Sequence, residues 1–312
     1  FTATANITEG NLLGLGYLAR IRGQVGVRRT IGLMTFRNPA LWDGPTSFQI
    51  DGFSTATNFL TYQEERAGGT FQFGQAFDEY IIGSFTLVAE AITISNPSSD
   101  APTTIVNQVG DQSTTGFRSS LFRDTRDNFQ DPRSGSRTGV RLGFGTELLG
   151  GSNNFYRMNL DGLKWVPLPI WDLRMSFRGR FGIAKGYGGD STPLTEFFFV
   201  GGINTIRGFR FGRAGPVTAS GTLQGANRQI LLNVDFVFPI LPDAQLNGVI
   251  FFDYGKGFAE SEDLDFNLRA ASGLEVRWVS PFGPLRGAWG INLDPKDNEQ
   301  ESVFEFSVGN VF

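Results

Sequence analysis

With no histidine and no cysteine among its 312 residues, the chain has no imidazole base, no thiolate nucleophile and no imidazole or thiolate metal ligand. Any chemistry must rest on carboxylates, arginines, lysines and hydroxyls, and three groupings of these stand out. Arg207 lies in the run Gly201-Gly202-Ile203-Asn204-Thr205-Ile206-Arg207-Gly208-Phe209, with Asp235 and Asp253 in later segments of alternating polarity. A guanidinium fork spanning both carboxylates would be a charge-assisted latch, which is a contact and not a reaction. From position alone, a solvated loop arginine and two aspartates that merely polarise their surroundings remain the alternative. Arg123, Asp124, Arg126, Asp127 and Asn128 form a dense charged run ahead of Asp131-Pro132 and Gly135, read as a charged rim near a turn. Glu260, Glu262, Asp263 and Asp265, with Asp294 and Asp297, offer oxygens to a hard cation. Their spacing fits no EF-hand loop, however, so solvated, self-repelling loops are expected and no metal site. No hydrolase constellation of Ser, Lys or carboxylates is present and no glycine run opens a helix, so neither an enzyme nor an organic cofactor is expected.

The elements that carry these residues read as strands. Leu173, Met175, Phe177, Phe181 and Ile183 alternate with Arg174, Ser176, Arg178 and Arg180, and Phe304, Phe306 and Val308 alternate with Glu305, Ser307 and Gly309, the period-2 signature of a two-faced strand. Val140 to Leu148 and Ile230 to Phe238 repeat the pattern. The 31 Phe and 41 Gly suit many strands joined by tight turns. Fifteen strands are predicted near residues 1–8, 14–27, 30–38, 46–57, 68–77, 80–94, 115–124, 137–149, 154–166, 171–185, 227–238, 246–255, 266–279, 284–292 and 302–312. Their lengths match the roughly 9 to 11 residues that a tilted strand needs to cross a hydrocarbon core. No run of 18 apolar residues exists, and a mean hydropathy of -0.13 is what alternating lipid-facing and inward-facing residues average to. The expected fold is all-β, a transmembrane antiparallel β-barrel.

Connections are predicted to alternate between short turns (38–45, 167–172, 239–243, 280–284) and long loops (95–114, 186–226, 256–265, 294–301), as on the two rims of an outer-membrane barrel. Single-chain barrels of this kind close with an even number, and an unpaired edge in lipid is costly, so 16 strands are expected in a parent protein. The first strand is then expected to precede Phe1. The net charge of -4 and pI near 5.1 give no footprint for nucleic acid.

The run ending Ile206-Arg207-Gly208-Phe209 resembles the lid-loop motif of the BamA superfamily of outer-membrane insertases and translocators. Leu121 to Asn128 (LFRDTRDN), Phe155 to Leu168, Asn233 to Pro239, Phe251 to Gly255 (FFDYG) and Ser280 to Leu285 (SPFGPL) are similar to family segments in the same order. The end at Phe312, with Phe306 and Phe304, resembles the β-signal of outer-membrane barrels. The resemblance covers nearly the whole chain. It implies a single barrel domain over 1–312 with a lid loop near 186–226, and periplasmic POTRA domains ahead of it in the parent. It also implies a contact between Arg207 and the inner wall, and an inner-wall or turn-stabilising role, not a catalytic one, for the Arg123 to Asn128 run.

The expected function is assembly of nascent outer-membrane β-barrel proteins through a lateral seam between the first and last strands. Phe304, Phe306, Val308, Gly309 and Phe312 lie at that seam, and Gly309 and Asn310 weaken its terminal strand. Expected partners are outer-membrane lipids, the nascent barrels and accessory periplasmic lipoproteins. A POTRA-dependent polypeptide secretion pore of the same superfamily is the alternative, and a passive porin a weaker one.

Overall fold

Alternating polarity becomes strand structure along the whole chain. The computed structural model describes residues 2–59, 61–280, 283–297 and 299–308. Among them fifteen strands form: β1 (Thr2–Leu12), β2 (Tyr17–Gly26), β3 (Arg29–Asn38), β4 (Thr46–Asn58), β5 (Gln63–Ala76), β6 (Ile81–Ser95), β7 (Gly110–Asp124), β8 (Gly135–Gly145), β9 (Phe155–Pro167), β10 (Arg174–Gly186), β11 (Arg228–Leu241), β12 (Leu246–Phe258), β13 (Arg269–Ser280), β14 (Gly283–Asn292) and β15 (Ser302–Val308). The order in the sheet follows the chain, with β1 and β15 at its ends, and the pairings of β10 through β15 are antiparallel. The one α-helical turn among the described residues is α1 (Thr103–Val106), and none of their helices is long and apolar enough to cross a membrane.

Two details of the expected layout are corrected. Thr146 to Leu148 do not continue β8: Glu147–Leu149 is a 3-10 turn started by the Thr146 side chain, which accepts a hydrogen bond from Leu148 N–H, and ended at Gly150 in the left-handed region. Period-2 polarity cannot tell a strand from a turn when a Thr offers a local side-chain acceptor. The short–long alternation of connections holds from β8 onward, but the β7–β8 connection at 125–134 is as long as the one after it, and the early ones at 27–28 and 59–62 are as short as their neighbours. In the expected 280–284 turn, Pro281 and Phe282 lie outside the described residues.

Two compact units can be distinguished. The first comprises Phe1–Phe122, Arg141–Met158 and Ala184–Glu196. Its buried polar face includes Glu90, bridged by Arg66 at 2.6 Å and Arg118 at 3.3 Å, while Phe73, Phe85 and Leu87 are exposed. The second comprises Arg123–Val140, Asn159–Ile183 and Phe197–Phe312, and it inverts the water-soluble pattern more sharply. Asp235, Asp253, Glu275, Arg277 and Arg286 are buried, whereas Phe177, Leu232, Ile250, Phe252, Leu274 and Trp289 are exposed. A contiguous apolar face of this kind in water is an aggregation surface; against hydrocarbon it is the stable arrangement.

Register places the buried side chains in rows, because directly paired residues share a face. One row runs Asp235, Phe251, Gly273, Gly290, Val303; the next on one side runs Asn233, Asp253, Ala271, Asn292; the next on the other runs Val237, Val249, Glu275, Ala288, Glu305. Two glycines in the central row leave a shallow track across β13 and β14.

Candidate functional site: the docked Arg207 loop

The segment 197–227 ahead of β11 is anchored within the second unit by main-chain bonds. Phe198 and Ala226 exchange N–H to O bonds of 2.8 Å each, Ala214 N donates to Val200 O at 2.9 Å, and Gly257 N of β12 donates to Ala214 O at 3.0 Å. Val200, Ile206, Phe209 and Ala214 of the loop cluster with Leu231 and Ala271 of the sheet. Phe209 is thus a buried anchor, with the Arg269 guanidinium 4.8 Å from its ring centroid.

Between those anchors a turn at 202–206 aims Arg207 at the wall. Gly202 N donates to Ile206 O, Thr205 N to Gly202 O, and Gly201 N to Thr205 Oγ1. Gly208 follows at φ +89, a region that disfavours any side chain, and a Cβ there would come within 3.0 Å of Ala271 Cβ. The glycine meets both a conformational and a packing requirement.

Arg207 is 4% exposed and Asp253 is fully buried. Arg207 Nε and Nη2 donate to the two oxygens of Asp253 at 2.8 and 2.6 Å, and its backbone N–H donates to the same carboxylate at 2.8 Å. Nη2 also reaches Asp235 at 2.7 Å, and Nη1 reaches Glu275 at 2.7 Å. The guanidinium lies 3.8 Å from the Phe251 ring centroid, which the register predicts, since Phe251 stands in the row between Asp253 and Glu275. Asn233 donates to Thr205 O and to Asp253, both at 2.8 Å.

Asp235 and Asp253 therefore lie where their phase places them, and Glu275 is a third carboxylate that sequence reasoning missed. Three negative charges against one arginine would repel. Arg277 joins Asp235 at 2.7 Å to Glu275 at 2.6 Å, and Arg286 adds a 2.7 Å bond to Glu275. Three arginines thus face three carboxylates, the condition under which a buried ionic cluster is tolerated. The missed signal was inward-phase charge at 275, 277 and 286 beside outward Leu274, Val276 and Trp278.

The Arg123 to Asn128 run closes β7 and opens the turn to β8. Arg126 grips Asp124 at 2.7 Å, Asn128 Oδ1 accepts from Gln130 N, and Arg123 is exposed. Asp127 accepts from the N–H of Arg133 at 2.9 Å, Ser134 at 3.2 Å and Asn128 at 2.9 Å. Partial burial would raise its pKa, but the Arg133 and Ser134 donors outweigh that and hold it below the ordinary aspartate value. A depressed carboxyl stabilises above its unfolded pKa and loses that contribution as pH falls through the folded value. Protection of the 133–134 amides relative to the rest of the turn, a ratio in which the acid slowing of intrinsic exchange cancels, is expected to hold at pH 6 and to be lost only as pH falls below the ordinary aspartate value; Asp127→Ala should abolish the protection at pH 6.

In the acidic loops, Glu262 pairs with Lys256 at 3.3 Å, and Glu299 with Arg269 at 2.5 Å. Among the described residues no group of three or more candidate ligands is placed to hold a metal ion. At the terminal strand Phe304 and Phe306 are 69% and 61% exposed, and Val308 is also exposed; Gly309, Asn310 and Phe312 lie outside the described residues.

Comparison with known proteins places this geometry. Residues 11–312 match the Omp85 superfamily domain. The outer membrane protein assembly factor BamA of Nitratidesulfovibrio vulgaris is 30% identical across all of this chain, which covers 40% of that protein. The BamA of Neisseria meningitidis serogroup B is 24% identical over 99% of the chain and 45% of its own length. The chain thus spans less than half of these curated relatives. The crystal structure of BamA from Haemophilus ducreyi lacking POTRA domains 1–3 superposes with a TM-score of 0.86 at 18% identity, over 98% of this chain and 66% of that one. CdiB from Acinetobacter baumannii gives 0.63 at 11%, over 98% and 55%. The strand order, the inverted polarity and a family match that runs almost from end to end agree: the chain belongs to the Omp85 superfamily and has the β-barrel fold of BamA.

Proposed function

We propose that this chain is the membrane barrel of a bacterial outer-membrane protein assembly factor, which receives nascent β-barrel proteins at a seam beside its terminal strand. The observation that carries the reading is the Arg207 loop docked on the polar face of a sheet whose opposite face is apolar and exposed. Outer-membrane lipid is the solvent that such an exposed face requires. A strand edge inside lipid has no water to satisfy its N–H and C=O groups, so it templates an incoming strand by main-chain pairing. No bond is made or broken in this reading; the work is edge pairing and burial. The same proposal gives the whole protein periplasmic POTRA domains, and accessory periplasmic lipoproteins as its partners.

A polypeptide secretion pore, with the loop as a movable plug, is the second reading, favoured by the likeness to CdiB. The two separate by measuring insertion of an unfolded barrel substrate into liposomes carrying the full-length parent, with and without Arg207. Acceleration that depends on Arg207 supports assembly. No acceleration, with ion conductance that rises when Arg207 is removed, supports the pore.

A further inference from the structure

We infer that Glu305, on the terminal strand β15, is a positioning residue that ties the Arg207 loop to that strand, so that displacement of β15 loosens the loop. The inference rests on the seam reading above and names what would couple seam to loop.

Glu305 pairs with Ala288 in the ladder with β14, and Ala288 is buried, which puts the Glu305 side chain on the loop-bearing face. Its carboxylate faces the backbone N–H of Ile203. The loop backbone is close there: a Cβ on Gly202 would stand 3.5 Å from Glu305 Oε1. On the other side of the same residue, Arg286 of β14 donates to Ile203 O at 3.2 Å and to Asn204 Oδ1 at 3.4 Å. Ile203 is therefore held at its C=O by β14 and lies at its N–H against the Glu305 carboxylate of β15. Arg286 is itself fastened to Glu275, inside the cluster that grips Arg207, whereas β15 stands at the end of the strand order with its described pairing running from Leu285↔Val308 to Ile291↔Ser302. One half of the grip is thus built into the ionic cluster, and the other half rides on an end strand.

A hydrogen bond to a charged acceptor corresponds to roughly ten- to hundredfold in local opening, which amide exchange reads directly. The full-length parent in lipid nanodiscs is followed by hydrogen–deuterium exchange over 199–209, with β11 and β12 peptides reporting the intact fold. Glu305→Ala is expected to speed exchange at 202–206 by about that factor, and Glu305→Gln, whose amide oxygen accepts the same N–H, to restore most of the protection. A disulfide between Trp289→Cys and Phe304→Cys, partners across β14 and β15 on the outward face, pins β15 without touching the loop. With Glu305 present the disulfide should slow loop exchange; with Glu305→Ala it should change nothing. Equal slowing in both backgrounds, or none in either, overturns the coupling. Should Glu305→Ala not fold, the disulfide in the otherwise unaltered chain still overturns the coupling if it leaves loop exchange unslowed. Because no substrate is added, failure of the assembly reading would appear in the liposome experiment and not here.

Discussion

Arg207→Ala is expected to undock the loop while leaving the sheet folded and, on the function proposed above, to cost the parent protein most of its assembly activity. The arginine's partners stay behind: Asp253 loses its bidentate partner, Asp235 and Glu275 each lose one guanidinium bond, and two arginines face three buried carboxylates. Breaking a buried pair by removing one partner costs about 3–5 kcal/mol, because the remaining charge is left uncompensated. On the docked loop that is a change of two to three orders of magnitude or more in the docked-to-undocked ratio, roughly tenfold per 1.4 kcal/mol. Arg207→Lys should recover little, since an ammonium is a point charge and cannot span three carboxylates with a planar fork. The check is exchange or protease susceptibility over 199–227 alongside insertion rate. A loop that stays protected in Arg207→Ala would show that the apolar anchor of Phe209 and Ile206 holds it alone.

Gly290→Ala is expected to act in the same direction, though less strongly, by pushing from the opposite side. A Cβ at 290 would lie 2.3 Å from Gly208 N and 2.6 Å from Gly208 Cα. Both are backbone atoms of a loop already fixed by Arg207 and Phe209, so no flexible side-chain end can swing aside. Overpacking of a filled site commonly costs about 1–3 kcal/mol, and here the strain falls on the loop, since alanine is acceptable in a strand. Gly287→Ala is the control on the same strand: its nearest neighbour is Phe304 Cζ at 3.7 Å, an ordinary contact, and it should leave the loop and insertion unchanged. Because Arg207→Ala and Gly290→Ala release the same element, the double variant should fall well short of the sum of the singles. Additive losses would mean that Gly290 serves strand pairing and not the loop.

Strand number, antiparallel topology and the inverted polarity were legible without coordinates, because period 2 is a property of consecutive residues and barrel strands repeat it many times. The docked arginine and two of its carboxylates were legible for a related reason. Arg207 sits in a short local run, and the inward phase of Asp235 and Asp253 follows from their apolar neighbours. Turn details were less so, since Thr146 to Leu148 alternate in polarity yet close a 3-10 turn through a side-chain hydrogen bond. Glu275, Arg277, Arg286, Glu305 and the Gly290 track were decided only by tertiary structure. Phase assigns each of them to the buried face, but which residues stand side by side depends on the register between neighbouring strands, and which of them meet the loop depends on where its backbone crosses the sheet. Register and crossing are set by long-range packing of segments tens of residues apart. The sequence by itself determined which face of each strand is polar, and the fold decided which of those polar groups hold the loop.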